Sequence, residues 1–152
     1  MGQRVAKIPP RAPVSKGKTR ICVSGVGYGH HTNRAGNLVR AIVSENPEEY
    51  ESWFYFNTKG YPALLSQIKS ELPEAQQKQF ADHKTSPFCW LELPDGRRNA
   101  QGGRDGLCQW ASGRFKTQRY ALAIHLASTE PEILEFWVDK TPGTAPGQRG
   151  VE

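Results

Sequence analysis

The sequence predicts an α/β fold: a mixed four-stranded sheet with flanking helices and a short C-terminal addition. Three observations carry this reading. Two stretches repeat apolar residues at spacings of three and four, as the buried face of a helix requires: Ala35, Leu38, Val39, Ile42 and Val43, then Leu64, Leu65, Ile68 and Leu72. Short β-branched or aromatic runs at 21–26, 53–56 and 88–93 alternate with them. The resulting order, βαβα followed by ββα, closes into a mixed sheet covered on both faces.

Each element has a local cause. Ile21-Cys22-Val23-Ser24-Gly25-Val26 makes a first strand that breaks at Gly25 and Gly27. A helix follows, with Thr32 or Asn33 as its cap and Ser44-Glu45-Asn46-Pro47 as its end. Trp53-Phe54-Tyr55-Phe56 is a second strand, and Gly60 with Pro62 opens a second helix. The polar run 74–83 reads as a connection to Thr85-Ser86-Pro87, after which 88–93 forms a third strand. Pro94-Asp95-Gly96 is a turn, residues 97–101 return as the fourth strand, and Gly102-Gly103-Arg104-Asp105 opens a third helix carrying Leu107, Trp110 and Ala111. Residues 117–127 fit a strand or a helix. Thr129-Glu130-Pro131-Glu132 is a capping box for a last helix.

Composition bounds the function. The formal charge is +5, yet the first twenty residues hold Arg4, Lys7, Arg11, Lys16, Lys18 and Arg20 with no acid, leaving 14 basic and 15 acidic side chains elsewhere. This concentrates the basic charge in an arm and argues against a basic folded face for nucleic acid. With Pro9, Pro10 and Pro13, residues 1–18 have too little apolar surface to offset chain entropy and read as a disordered arm. The expected organisation is then a domain over 19–115, an addition over 116–140 packed on it, and a disordered tail over 141–152. No apolar run is long enough to span a membrane, and no secretory core opens the chain, so the expected location is cytoplasmic. Met1-Gly2-Gln3-Arg4-Val5-Ala6 only partly matches a myristoylation signal, because Ala6 stands where Ser or Thr is preferred. Three scattered cysteines, Cys22, Cys89 and Cys108, suit a reducing compartment and read as small hydrophobes.

The motifs resemble the glutaredoxin branch of the thioredoxin superfamily over about residues 20–113. Tyr28-Gly29-His30-His31-Thr32-Asn33-Arg34-Ala35 is similar to the family's Tyr-Cys-x-x-Cys-x-Arg-Ala loop, with Gly29 and Thr32 at the two cysteine positions. Thr85-Ser86-Pro87 matches its Thr-Val-cis-Pro loop, and Gly102-Gly103-Arg104-Asp105 its Gly-Gly-x-Asp helix start. The resemblance implies a thioredoxin-like (glutaredoxin-type) fold whose degenerate active-site loop is Tyr28, Gly29, His30, His31 and Thr32. It also implies that Ser86, Pro87, Gly103, Arg104 and Asp105 contact glutathione or a peptide. A helix N-terminus at Gly103 favours a carboxylate on physical grounds too, although a tight turn capped by Asp105 explains the same residues. The lysine that the family places before the loop corresponds to Val26. His30 and His31 narrow the groove, touch a partner, or are solvated loop histidines.

Gly29 and Thr32 supply no thiolate, so the expected function is a non-catalytic binding or adaptor protein that uses the former substrate groove for a protein or peptide partner. No cofactor is expected, with glutathione at most a weakly held ligand. A glutaredoxin-type iron–sulfur cluster lacks its thiolate, and the histidines have no zinc-ligand spacing. Gly25-x-Gly27-x-Gly29 matches neither phosphate-loop pattern. The alternative is a glutathione-dependent enzyme, either transferase-like with a hydroxyl of Tyr28 or Thr32 as donor, or a thiol oxidoreductase acting through Cys89.

Overall fold

The computed structural model describes residues 10–27 and 30–115, with His30 by its backbone alone. Eight elements follow one another: β1 (Thr19–Gly25), α1 (His30–Glu45), β2 (Tyr50–Phe56), α2 (Tyr61–Glu71), α3 (Glu74–Gln79), β3 (Phe88–Glu92), β4 (Arg98–Gly102) and α4 (Arg104–Arg114). The sheet order is β2-β1-β3-β4. β2 runs parallel to β1, β3 antiparallel to β1, and β4 antiparallel to β3. This is a mixed four-stranded sheet with flanking helices, compatible with a thioredoxin-like fold. The expected addition over 116–140 and the tail over 141–152 lie outside the described residues.

Alternation along the strands divides the interior in two. Ile21, Val23, Phe54, Phe56, Cys89 and Leu91 face α1 and α4, where Leu38, Val39, Ile42, Leu107 and Ala111 meet them. Cys22, Trp53, Tyr55, Phe88 and Trp90 face α2 and meet Leu64, Leu65 and Ile68. The helical spacings therefore land where an amphipathic face must: Leu38, Ile42, Leu64 and Ile68 are wholly buried.

Three details depart from the sequence reading. β2 starts at Tyr50 rather than Trp53, because parallel pairing with β1 begins at Thr19 against Tyr50. α1 starts at His30, which leaves Thr32 and Asn33 buried inside its first turn instead of capping it. The polar run 74–83 contains α3, a helix with no buried residue. Gln76 explains α3: its Oε1 accepts the Ala100 N–H at 2.7 Å and its Nε2 donates to Asn99 Oδ1 at 2.9 Å, so α3 covers the outer edge of β4.

The hairpin from β3 to β4 forms as expected, with Leu93 N–H donating to Arg97 O at 2.8 Å. β4 then bulges. Trp90 pairs with Ala100 but Cys89 pairs with Gly102, so Gln101 is an extra residue. Gly102 takes φ 89°, which only glycine adopts cheaply. The bend delivers the chain into α4.

The arm is anchored at Arg11. This guanidinium donates through Nε to Glu92 Oε2 and through Nη2 to Glu71 Oε1, both at 2.7 Å. Composition alone made 1–18 a free chain; residues 1–9 lie outside the described residues, but at Arg11 a buried carboxylate on β3 provides a partner that local sequence does not reveal.

Candidate functional site

Where β1 ends, three loops converge. His31, Thr85, Ser86, Pro87, Gly103, Arg104, Asp105 and Gly106 line one cavity of about 300 Å³. The Ser86–Pro87 peptide is cis. Of the residues singled out from sequence, His31, Ser86, Pro87, Gly103, Arg104 and Asp105 thus stand together. Thr32 joins them from beneath. Tyr28 and Gly29 lie outside the described residues, as does the side chain of His30.

Neutral hydrogen bonds tie the loops to one another. Thr32 Oγ1 and Ser86 Oγ are 2.5 Å apart, and Ser86 Oγ accepts the Val26 N–H at 3.0 Å. Val26 is thereby joined to the proline loop through its backbone. The clasp needs Gly25: a Cβ there would stand 2.3 Å from Ser86 Oγ and 2.6 Å from Thr32 Oγ1. The hydroxyl of Thr32 is therefore buried and engaged rather than presented to a ligand.

The carbonyls flanking Ser86 are already paired. Tyr61 donates its hydroxyl to Thr85 O at 2.6 Å, and burial raises the pKa of that phenol, which keeps it a donor. His83 Nε2 lies 3.0 Å from Thr85 O and 3.1 Å from Pro87 O. Both acceptors are carbonyls, so they assign the ring proton to Nε2. The imidazole is set edge-on to Phe88, with ring centroids 5.0 Å apart. No hydrogen bond among the described residues occupies the Ser86 N–H or C=O, which leaves this donor and acceptor for pairing in the groove.

At the far wall, Gly103 precedes the first turn of α4, where unpaired N–H groups and the helix dipole favour an anion. Arg104 Nη2 lies 2.9 Å from Asp105 Oδ1, and Arg104 Nε is buried without a partner among the described residues. Asp105 remains exposed.

The cysteines are placed unlike catalytic thiols. Cys89 is wholly buried on β3, and burial, with Cys108 nearby, drives its thiol pKa far upward. A nucleophile needs both access and a thiolate. Its placement weighs against the oxidoreductase alternative. Cys108 is half-buried; burial raises its pKa despite the opposing charge of Arg104. Among the described residues, no group of three or more His, Cys, Asp or Glu is placed to hold a metal ion, and no helix is long and apolar enough to cross a membrane.

Sequence reasoning missed His83 and Tyr61. Tyr61 reaches a carbonyl 24 positions away and His83 folds back on carbonyls two and four positions ahead, and neither contact follows from helix or strand spacing. Comparison with protein-family models and with curated proteins finds no match.

Proposed function

We propose that this is a glutaredoxin-like protein that binds a peptide or protein partner through the groove and performs no thiol chemistry there. The observation that supports it most is the convergence of His31, the cis Ser86–Pro87 loop and the Gly103–Arg104–Asp105 turn on one cavity beside a hydroxyl at position 32. The half-buried Ser86 N–H and C=O pair with the main chain of an extended ligand, as one strand pairs with another. The N-terminus of α4, with the orphaned Arg104 Nε beside it, receives a carboxylate. Glutathione offers both features and is the natural small-molecule probe. The cytoplasm, where thiols stay reduced, is the compartment that suits three unpaired cysteines.

The test is a backbone NMR titration with reduced glutathione, paired with a disulfide-reductase assay. Expected are chemical-shift changes confined to Ser86, Gly103, Arg104 and Asp105, and no turnover above the uncatalysed rate. Turnover that vanishes in Cys89→Ser would replace this reading with the enzyme one; unmoved groove resonances at millimolar glutathione would remove the groove as the site.

A further inference from the structure

At the opposite end of the sheet from the groove, Arg11 occupies a pocket with all the parts of a receptor. Its side chain is 7% exposed. Nε donates to Glu92 Oε2 and Nη2 to Glu71 Oε1, each at 2.7 Å, and the guanidinium carbon lies 5.5 Å from the Trp53 ring centroid and 5.8 Å from that of Trp90. The pocket is built without Arg11. Glu92 is wholly buried on β3, where Arg20 holds Oε1 at 2.7 Å and the Trp90 indole N–H donates to Oε2 at 2.9 Å. Arg98 steadies Glu71 at 3.2 Å.

We infer that Trp53, Glu71, Trp90 and Glu92 form a guanidinium-binding site that the chain fills with its own Arg11 and that takes the arginine of a Pro-Arg-Ala-Pro peptide in trans. Charge supports this. Glu51, Glu71 and Glu92 are matched by Arg20 and Arg98 and balance only when a third guanidinium, Arg11, is present. The pocket also reads peptide main chain, since Arg20 Nη2 donates to Ala12 O at 2.5 Å. Two carboxylates at separate donors and two indole faces select the planar fork of arginine over the point charge of lysine. A short tether gives Arg11 a high local concentration, so the cis ligand prevails until the arm is removed or drawn elsewhere.

The test uses the full chain carrying Arg11→Ala and the blocked peptide Pro-Arg-Ala-Pro, followed by the indole N–H resonance of Trp90. The substitution is expected to shift that resonance and the peptide to return it to the wild-type position. The peptide with lysine in place of arginine should bind about tenfold more weakly, as should the arginine peptide to Arg11→Ala/Glu71→Gln. Arg11→Lys, which retains a cation, is the second variant, and excess arginine peptide should displace its lysine. No response to millimolar peptide in a folded variant would overturn the inference, and so would an equal response to the lysine peptide. If neither variant folds the inference also fails, because Arg11 is then a structural tie rather than a displaceable ligand.

Discussion

The two ends of β3 are held by opposite kinds of chemistry. At Phe88 the chain meets the groove, and the contacts there are hydrogen bonds without a carboxylate: Thr32 to Ser86, Val26 to Ser86, Tyr61 to Thr85 O, and His83 to the carbonyls of Thr85 and Pro87. At Glu92, roughly 13 Å along the same strand, three guanidiniums and a buried indole converge on one carboxylate. These bonds at the groove hold the loops in register while leaving the Ser86 N–H and C=O and the α4 N-terminus for a ligand. The charged end has its partner built in. Removing one member there strands the others, whereas removing the Thr32 hydroxyl at the groove leaves Ser86 Oγ its bond to the Val26 N–H. The same strand thus combines an open site and an occupied one, and the two should respond very differently to substitution.

The sharpest break is Glu92→Ala. It leaves Arg11, Arg20 and the Trp90 indole without their shared acceptor, and should cost about 3 to 5 kcal/mol by chemical denaturation. A loss below about 1 kcal/mol would mean that the arginines find water or Glu71 instead.

Acid should act in the same direction. Burial pushes the Glu92 carboxyl up, but the Trp90 hydrogen bond together with Arg11 and Arg20 outweighs it, so its pKa lies below the ordinary glutamate value. A group depressed in the folded state contributes stability at pH above its unfolded value and loses it as pH falls through the folded one. Stability should therefore decline below about pH 4.3, the ordinary glutamate value, and Glu92→Gln should flatten that decline. A variant with the wild-type acid slope would assign it to other carboxylates.

At the groove, Gly106→Ala places a Cβ 1.9 Å from Gln101 O, a backbone atom of the bulge that cannot rotate away. The first turn of α4 must shift. A net loss of about 1 to 3 kcal/mol is expected, because overpacking exceeds the helix-propensity gain of alanine. Glutathione-induced shifts should disappear with it. An unchanged melting curve together with intact shifts would show that the turn has slack.

Thr32→Val is the mildest test. It deletes the hydroxyl clasp while Ser86 Oγ keeps the Val26 N–H, so about 1 kcal/mol should be lost. The Val26 amide, which donates to Ser86 Oγ, should exchange with solvent faster. A protein as stable as wild type, with unaltered exchange, would show that the Val26 bond alone holds the loop.

Much of the fold was legible from residue pattern because it rests on periodicity. The spacing of Leu38 and Ile42, and of Leu64 and Ile68, requires a face to bury wherever the chain puts it. The convergence of Ser86, Pro87, Gly103, Arg104 and Asp105 was legible for another reason: their motif spacing resembles that of a family whose loops meet. Less visible was α3, whose six residues bury nothing and whose stability comes from Gln76 bonding to a strand edge about 24 positions away. Thr32 looked like a helix cap because a hydroxyl near a helix start usually is one. Only the approach of Ser86 across Gly25 gives that hydroxyl its actual partner.

By itself the sequence determined which residues are apolar, with what period, and where glycine and proline interrupt them, and these short-range facts select helices, strands and turns. It also determined that no cysteine stands at positions 29 or 32. The tertiary structure alone decided the rest: that Glu92, an acid within a hydrophobic run, becomes the buried anchor of Arg11 from 81 positions earlier, and that Cys89 lies inside the core rather than in the groove. Burial and charge pairing depend on neighbours brought together by folding, and a residue's partner across the sheet leaves no periodic mark on the chain.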